Sequence, residues 1–281
     1  MHFLILVILS STSIALILKH NNTVKGKTIV LLAGNYLVAA SVALVILILN
    51  DTTNFSLQTL FFGIALGFLF VITFFLLSSA IKHSGTGLAI TSSRLSVIIP
   101  IILSIIFFDE SPNELYTIGF LFTVFTFVLF YFSVKSGHRD GEGILKYLYL
   151  IAVFVGIGVN DFALKLFKMI RTEQEEPFFV LIIFGSAFIY TSGYLMFNKI
   201  KIEKQTVLWG LLLGIPNVLT TVFLLSALAI LPAIVVFPFM NVGIILLTTI
   251  MAFLIWKEKL NRWGLLAIAS GLIAILFLSL G

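Results

Sequence analysis

Arg94 is the residue of this sequence that most clearly requires a chemical reason. It lies within residues 91–96, near the middle of a long apolar stretch, where an arginine costs about 2.5 to 3.5 kcal/mol to insert into a membrane. A guanidinium at that depth needs a wet cavity or an acidic partner. We interpret Arg94 as a fixed positive charge that binds a carboxylate or phosphate, because its fork of N–H donors suits two-point contact. A structural ion pair between two helices is the alternative.

Asp161 is the one carboxylate well inside an apolar stretch. It could pair with Arg94, bind a cationic group of a ligand, or take up a proton. Lys165 follows four residues later, on the same face of a helix, so a local Asp161–Lys165 ion pair is an equally good interpretation. Asp161 and Lys165 are therefore candidates for coupling or for ion pairing.

Uncharged polar residues occupy further apolar stretches. They could line a ligand cavity, or they could join helix to helix through hydrogen bonds that average about 0.6 kcal/mol. Their concentration in the second, fourth, sixth, eighth and ninth stretches favours a central polar pathway. The predicted ligand-binding set is Arg94, Asp161, Asn160, Asn35, Tyr36, Ser93, Asn217 and Asn241.

Catalysis and metal binding have little support. The chain has no cysteine, which excludes disulfides and thiolate chemistry. The four histidines fall at predicted helix ends or loops without ligand spacing. The serines near Arg94 have no evident base. We expect no enzymatic activity, no catalytic residue, no metal and no cofactor.

The elements that hold these residues are predicted to be membrane-spanning helices. The chain of 281 residues is 60% hydrophobic and 10% charged, against about 25% charged for soluble domains. A helical span needs about 20 apolar residues, and an alternating barrel pattern is missing. The ten predicted spans cover residues 1–18, 28–49, 57–81, 85–108, 114–134, 145–168, 177–198, 205–229, 233–256 and 262–280.

A shift of the sequence by 148 positions aligns it with itself. Residues 73–78 then fall on residues 221–226 with five of six identical, and Glu110 and Asn113 fall on Glu258 and Asn261. The repeat predicts two units of five helices, 1–148 and 149–281, integrated into one transmembrane domain. Because five is odd, the units must be inverted, an architecture typical of secondary transporters.

The distribution of lysine and arginine predicts the orientation. Counted along the chain, the odd-numbered connections carry thirteen of these residues and the even-numbered ones three. The positive-inside rule therefore places the odd connections in the cytoplasm and both termini outside. Two glycine pairs, Gly63/Gly67 and Gly210/Gly214, are interpreted as helix-packing positions.

Motifs of the chain resemble the drug/metabolite transporter superfamily, in its EamA-like, ten-helix branch. The sixth span contains Gly158, Asn160 and Lys165 at the spacing with which each repeat of that family opens, and an acidic turn at Glu110 follows the fourth span. The first span has Ser10, Thr12 and Ile17 where the glycine, asparagine and lysine would stand, and the second connection lacks the basic residues usual in the family.

The resemblance implies export or exchange of a small polar metabolite by alternating access, without ATP. The expected location is the bacterial cytoplasmic membrane. The expected partners are a small-molecule substrate, the lipid bilayer and, at most, a second copy in a homodimer, with no nucleic acid. The alternatives are a flippase for a lipid-linked phosphate, an intramembrane enzyme, and a scaffold or sensor subunit that transports nothing.

Overall fold

The described residues of the computed structural model are 1–23, 26–50, 55–84, 86–135, 144–257 and 261–281, and they contain helices but no strand. A 3-10 turn, Glu173–Glu175, precedes the eighth helix. The helices are α1 (His2–Thr23), α2 (Thr28–Leu49), α3 (Leu57–Ser84), α4 (Thr86–Leu95), α5 (Ile98–Phe108), α6 (Glu114–Lys135), α7 (Ile144–Ile170), α8 (Glu176–Phe197), α9 (Lys204–Ile230), α10 (Ala233–Trp256) and α11 (Arg262–Leu280).

Ten segments of the described chain are long and apolar enough to cross a membrane, with α4 and α5 together forming the fourth. The prediction of an all-helical membrane protein with ten spans is confirmed. Large apolar side chains such as Phe61, Ile106 and Ile189 are more than half exposed on the outside of the bundle. Such a surface is stable in lipid, where apolar groups have no water to avoid. The chain is thus a multi-pass integral membrane protein.

The helices inside the bundle pack closely against one another. Helix α2 packs on α8 and α9, α3 packs on α7 and α8, and α1 packs on α9 and α10. Where the end of α7 meets the start of α8, the rings of Phe167 and Phe179 stack with their centroids 3.7 Å apart. Helices α6 and α11 pack against each other at the side of the bundle.

The two glycine pairs lie where helices approach most closely, as predicted. A Cβ atom on Gly67 would lie 2.5 Å from the Ile183 carbonyl oxygen of α8. A Cβ atom on Gly214 would lie 2.6 Å from the Asn35 carbonyl oxygen of α2. Any larger residue at either position would force these helices apart.

The turns before α6 and α11 are built alike. Asp109 and Lys257, which follow α5 and α10, both adopt left-handed backbone conformations with φ of 51° and 53°. The Asn113 side chain then accepts a hydrogen bond from Tyr116 N at 2.8 Å. The Asn261 side chain accepts one from Gly264 N, also at 2.8 Å. Each asparagine therefore satisfies a free amide at the start of its helix.

Candidate functional site

The fourth span is interrupted beside Arg94. Helix α4 ends at Leu95 and α5 begins at Ile98. Pro100 has no N–H group with which to continue the ladder to Ser96. The Ser96 carbonyl instead accepts from the Ile99 amide at 2.9 Å, which forms a tight turn. The break places Arg94 in the last turn of a ten-residue half-helix.

Helix α7 closes on this break because of a glycine. A Cβ atom on Gly158 would lie 2.9 Å from the Ser96 carbonyl oxygen. The Ser92 hydroxyl, one turn earlier, donates to the Leu150 carbonyl of α7 at 2.7 Å. Asp161 lies three residues after Gly158, so close contact between α4 and α7 brings its carboxylate into the neighbourhood of Arg94.

The Arg94 guanidinium joins α4 to α10. Its Nη1 atom donates to Asn241 Oδ1 at 3.1 Å. The Asn241 amide is held in place because its Nδ2 atom donates to the Phe237 carbonyl at 3.0 Å, and the side chain is buried. This is the one hydrogen bond that the structure gives Arg94 within the described chain, so most of the five N–H donors of its guanidinium remain available to an acceptor.

Asp161 lies near this guanidinium without a direct bond to it. The two charges interact electrostatically, yet these two described side chains form no direct ion pair. Of the three roles considered for Asp161, the structure therefore brings its charge near Arg94 but does not form the direct pair. A guanidinium with spare donors opposite a carboxylate can bind a small polar molecule that places an acceptor at Arg94 and a donor at Asp161.

The alternative of a local Asp161–Lys165 pair is wrong. The Lys165 Nζ atom lies 2.7 Å from Glu110 Oε1, and the Lys165 side chain is buried. Glu110 also accepts from the amides of Ala233 and Ile234, at 3.0 and 3.2 Å, where α10 begins. Its carboxylate satisfies free amides at the positive end of a helix as well as a lysine, which explains why Lys165 turns away from Asp161.

Asn160 and Ser93, which precede Asp161 and Arg94 in the sequence, form hydrogen bonds with a neighbouring helix and with their own helix. The Asn160 Nδ2 atom donates to Thr73 Oγ1 of α3 at 3.1 Å, while its buried Oδ1 atom has no partner in the described chain. The Ser93 hydroxyl donates to the Ile90 carbonyl of its own helix at 2.7 Å. Asn160 therefore joins α7 to α3, and neither residue contacts Arg94 through these bonds.

The remaining members of the predicted set lie in a second group, between α2 and α9. The Asn217 Nδ2 atom donates to Asn35 Oδ1 at 3.1 Å. Tyr36 is fully buried, its ring centroid is 6.3 Å from that of Phe184, and its hydroxyl has no partner in the described chain. Within the described chain, no hydrogen bond joins these three residues to Arg94. Asn35 and Asn217 thus form a helix-to-helix bond, the second of the two predicted roles.

A cavity that the sequence did not predict lies at one end of the bundle. It has a volume of about 370 Å³ and is bounded by the ends of α1, α2, α7, α8 and α9; we call it the end cavity. Its charged lining residues are Lys168, Glu173 and Glu176, and none of the predicted ligand-binding residues lines it. The sequence signal for this cavity was a lysine just before a glutamate-rich turn. The sequence alone does not show that this lysine lines a cavity.

Comparisons with known proteins show a similar fold but indicate no activity. No family model matches the chain. An uncharacterized protein of Haemophilus influenzae is 29% identical over 292 residues, covering 98% of this chain and 96% of the relative. A chain in a solved crystal structure is similar with a TM-score of 0.79 and 14% sequence identity, over 99% of this chain and 95% of that one. The fold is thus one that occurs in a known structure.

Proposed function

We propose that this protein is a secondary transporter that exports or exchanges a small polar metabolite by alternating access between two inverted repeats. The observation that carries the proposal is Arg94, which lies in the last turn of a half-helix, keeps most of its donors available and has the charge of Asp161 nearby. Secondary transporters bind substrate near the membrane midplane where helices are discontinuous. A charge at that depth is costly, and a substrate that neutralises it offsets part of the cost.

Matching contacts support the inverted repeat. The Asn113 Nδ2 atom donates to the Gly281 carbonyl at 3.2 Å, and the Asn261 Nδ2 atom donates to the Ser133 carbonyl at 2.8 Å. Asn261 and Gly281 are 148 residues after Asn113 and Ser133, the offset at which the sequence repeats. The left-handed residues Asp109 and Lys257 are related by the same offset. Such reciprocal contacts are what an axis relating two equivalent halves would produce.

The glycine pairs support the same relation. Gly67 of α3 packs against the Ile183 carbonyl of α8, and Gly214 of α9 packs against the Asn35 carbonyl of α2. Ile183 follows Asn35 by 148 residues, while Gly214 follows Gly67 by 147. Glu258, the repeat partner of Glu110, lies outside the described residues.

The assignment to the drug/metabolite transporter superfamily, the placement in a bacterial cytoplasmic membrane and the orientation with both termini outside remain part of this proposal. Two residues in the motifs that resemble this family support the resemblance. Lys165 and Glu110 come from different repeats and form an ion pair at 2.7 Å. An ion pair between halves that must rock against each other suits an alternating-access carrier.

The proposal is tested with purified protein and with proteoliposomes. Thermal stabilisation is measured against amino acids, nucleosides, sugars, carboxylates, phosphates and cationic drugs, and uptake of each stabilising compound is then followed. In Arg94→Gln, which retains an amide donor for Asn241, we expect transport to fall about 100-fold because two charge-assisted bonds to substrate are lost. Arg262→Gln, at an exposed arginine, is the matched control and should transport normally.

Two results would contradict the proposal. If Arg94→Gln transported a stabilising compound with unchanged affinity and rate, Arg94 would be a structural residue. If no water-soluble compound either stabilised or crossed the membrane, the carrier function itself would be wrong for this class of substrate.

A groove in the side of the bundle favours lipid flipping as a second candidate function. It has a volume of about 270 Å³, is nearly all apolar, and lies between α5 and α6, beginning at Ile98 beside the break. A lipid tail could occupy it while an anionic head group contacted Arg94. Faster flipping of a fluorescent anionic lipid in proteoliposomes, lost in Arg94→Gln, would favour this function over the first.

A further inference from the structure

The end cavity contains a buried cation whose hydrogen bonds are not all used. The Lys168 side chain is 6% exposed, and its Nζ atom lies 2.7 Å from Glu176 Oε2. The Glu173 Oε1 atom is 3.7 Å away, which is too far for a hydrogen bond. An ammonium carries three N–H donors. The described structure uses one of them, so the other two remain for an acceptor in the cavity that Lys168 lines.

A carboxylate at the mouth of the same cavity is available to a donor. The Glu173 side chain is 81% exposed and its contact with Lys168 is long. Glu176 is the closer partner of the lysine, and its side chain is 16% exposed. Exchange of the weak Glu173 contact for a ligand ammonium would therefore cost the protein little.

The charges of the end cavity select the kind of ligand. One ammonium and two carboxylates give the lining a formal charge of −1, which disfavours a simple anion. A simple cation could contact Glu173 but would leave the two spare N–H donors of Lys168 without an acceptor. A molecule that carries both an acceptor anion and a donor cation can satisfy Lys168 and Glu173 together.

The rest of the lining determines the size and polarity of that molecule. Ile46, Val180, Val222 and Ile230 form an apolar wall beside the charges. The volume of about 370 Å³ is near the lower end of the range of about 300 to 1,000 Å³ found for ligand sites. Both facts favour a small molecule with one apolar side group.

We propose that the end cavity binds a small zwitterion that carries an ammonium, a carboxylate and an apolar side group. The carboxylate accepts from Lys168, the ammonium donates to Glu173, and the side group packs on Val180 and Val222. This inference rests on the proposed carrier function in one respect only, namely that the bound molecule is also a transported substrate. Its binding in the cavity does not require Arg94.

The test is equilibrium binding of radiolabelled L-leucine to the purified full-length protein. Two competitors each keep the side group and one charge: 4-methylpentanoate keeps the carboxylate, and 3-methylbutylamine keeps the ammonium. We expect saturable binding of L-leucine and competition by either analogue only at a concentration about tenfold higher or more. Equal potency of one analogue would overturn the zwitterion assignment.

Two variants locate the bound molecule. Glu173→Gln removes an exposed charge that the fold does not need, and it should weaken L-leucine binding about fivefold. Ala229→Phe places a ring in the cavity from an exposed position and should abolish binding. Glu114→Gln is the matched control, because Glu114 is exposed near the start of α6 and does not line the cavity.

Binding in Arg94→Gln separates this inference from the proposed function. Retained binding in Arg94→Gln, together with loss in Ala229→Phe, would support the end cavity even if the protein transported nothing. Loss in Arg94→Gln with unchanged binding in Ala229→Phe would place the zwitterion at the central charges and overturn the inference, while leaving the carrier function intact. Absence of saturable L-leucine binding up to about 10 mM would also overturn it.

Discussion

The cations at the end of α7 and the cation in the middle of the bundle are used differently. Lys165 and Lys168 near the end of α7, and Arg171 just after it, lie at three-residue intervals, and each has a different glutamate as its nearest partner. Arg94 has one hydrogen bond, to the Asn241 amide, and Asp161 faces it without a direct bond. The same charge thus has a glutamate partner at the end of the bundle and none in direct contact at its centre.

Arg171 shows what a structural arginine looks like in this protein. Its Nη2 atom contacts both carboxylate oxygens of Glu175, at 2.6 and 2.9 Å. It also donates to Ser56 Oγ at 2.5 Å and through Nη1 to Gln58 Oε1 at 2.6 Å, and Thr59 bonds to the same Glu175. This network ties α7 and the 3-10 turn to the start of α3. Donors that are paired with several protein acceptors hold helices together, whereas the spare donors of Arg94 allow it to exchange partners.

The largest effect on stability is expected from Arg171→Met. Removal of the guanidinium leaves Glu175 and its hydroxyl partners without their cation, which should lower the free energy of unfolding by about 3 kcal/mol. The measurement is unfolding in mixed micelles, followed by circular dichroism. Arg262→Met, at an exposed arginine, should change the same quantity by less than about 0.5 kcal/mol. Equal effects of the two variants would show that Arg171 contributes no more to stability than an exposed arginine does.

Asp161→Asn should affect binding and turnover in opposite directions. The amide removes the negative charge near Arg94, so an anion that has no donor for Asp161 should bind Arg94 about 1 kcal/mol, or about fivefold, more tightly. Turnover should fall by about tenfold, because the carboxylate no longer competes to release the substrate. Substrate affinity and maximal rate in proteoliposomes measure the two effects. A purely structural role for Asp161 would instead lower stability and leave affinity unchanged.

Asn241→Ala should have a smaller effect on transport than Arg94→Gln. The alanine removes the acceptor that orients the guanidinium but leaves its charge, so we expect affinity to weaken about tenfold. Asn241→Asp is the informative partner, because a carboxylate would hold Arg94 and should reduce binding further. Substrate binding by thermal shift measures both. If Asn241→Asp bound as tightly as the unaltered protein, the spare donors of Arg94 would not be the binding element.

The smallest effect is expected at the second polar group. Asn217→Leu removes the bond to Asn35 and should lower the free energy of unfolding by about 0.6 kcal/mol, the average for such bonds in membranes. Transport should be unchanged, as measured in proteoliposomes beside Arg94→Gln. A loss of transport comparable with that of Arg94→Gln would return Asn35 and Asn217 to the substrate site.

The site could be predicted from the sequence only in part. Arg94 and Asp161 were recognisable because a charge inside an apolar stretch is costly wherever its helix lies. The partner of Lys165 was not, because Glu110 lies 55 positions earlier, and sequence spacing indicates only neighbours on the same helix. Asn35, Tyr36 and Asn217 were grouped with Arg94 by depth alone, and depth does not indicate which helix a side chain faces.

The sequence by itself determined the ten helical spans, the glycine positions at which they pack and the charged residues inside the spans that require an explanation. These are local properties, set by the length of apolar segments and by the size and charge of single residues. Only the tertiary structure decided that α4 stops beside Arg94, that Glu110 takes Lys165 away from Asp161, and that Lys168 lines a cavity. Each of these depends on which helices lie next to each other, and packing among ten similar apolar helices is a property of the whole chain.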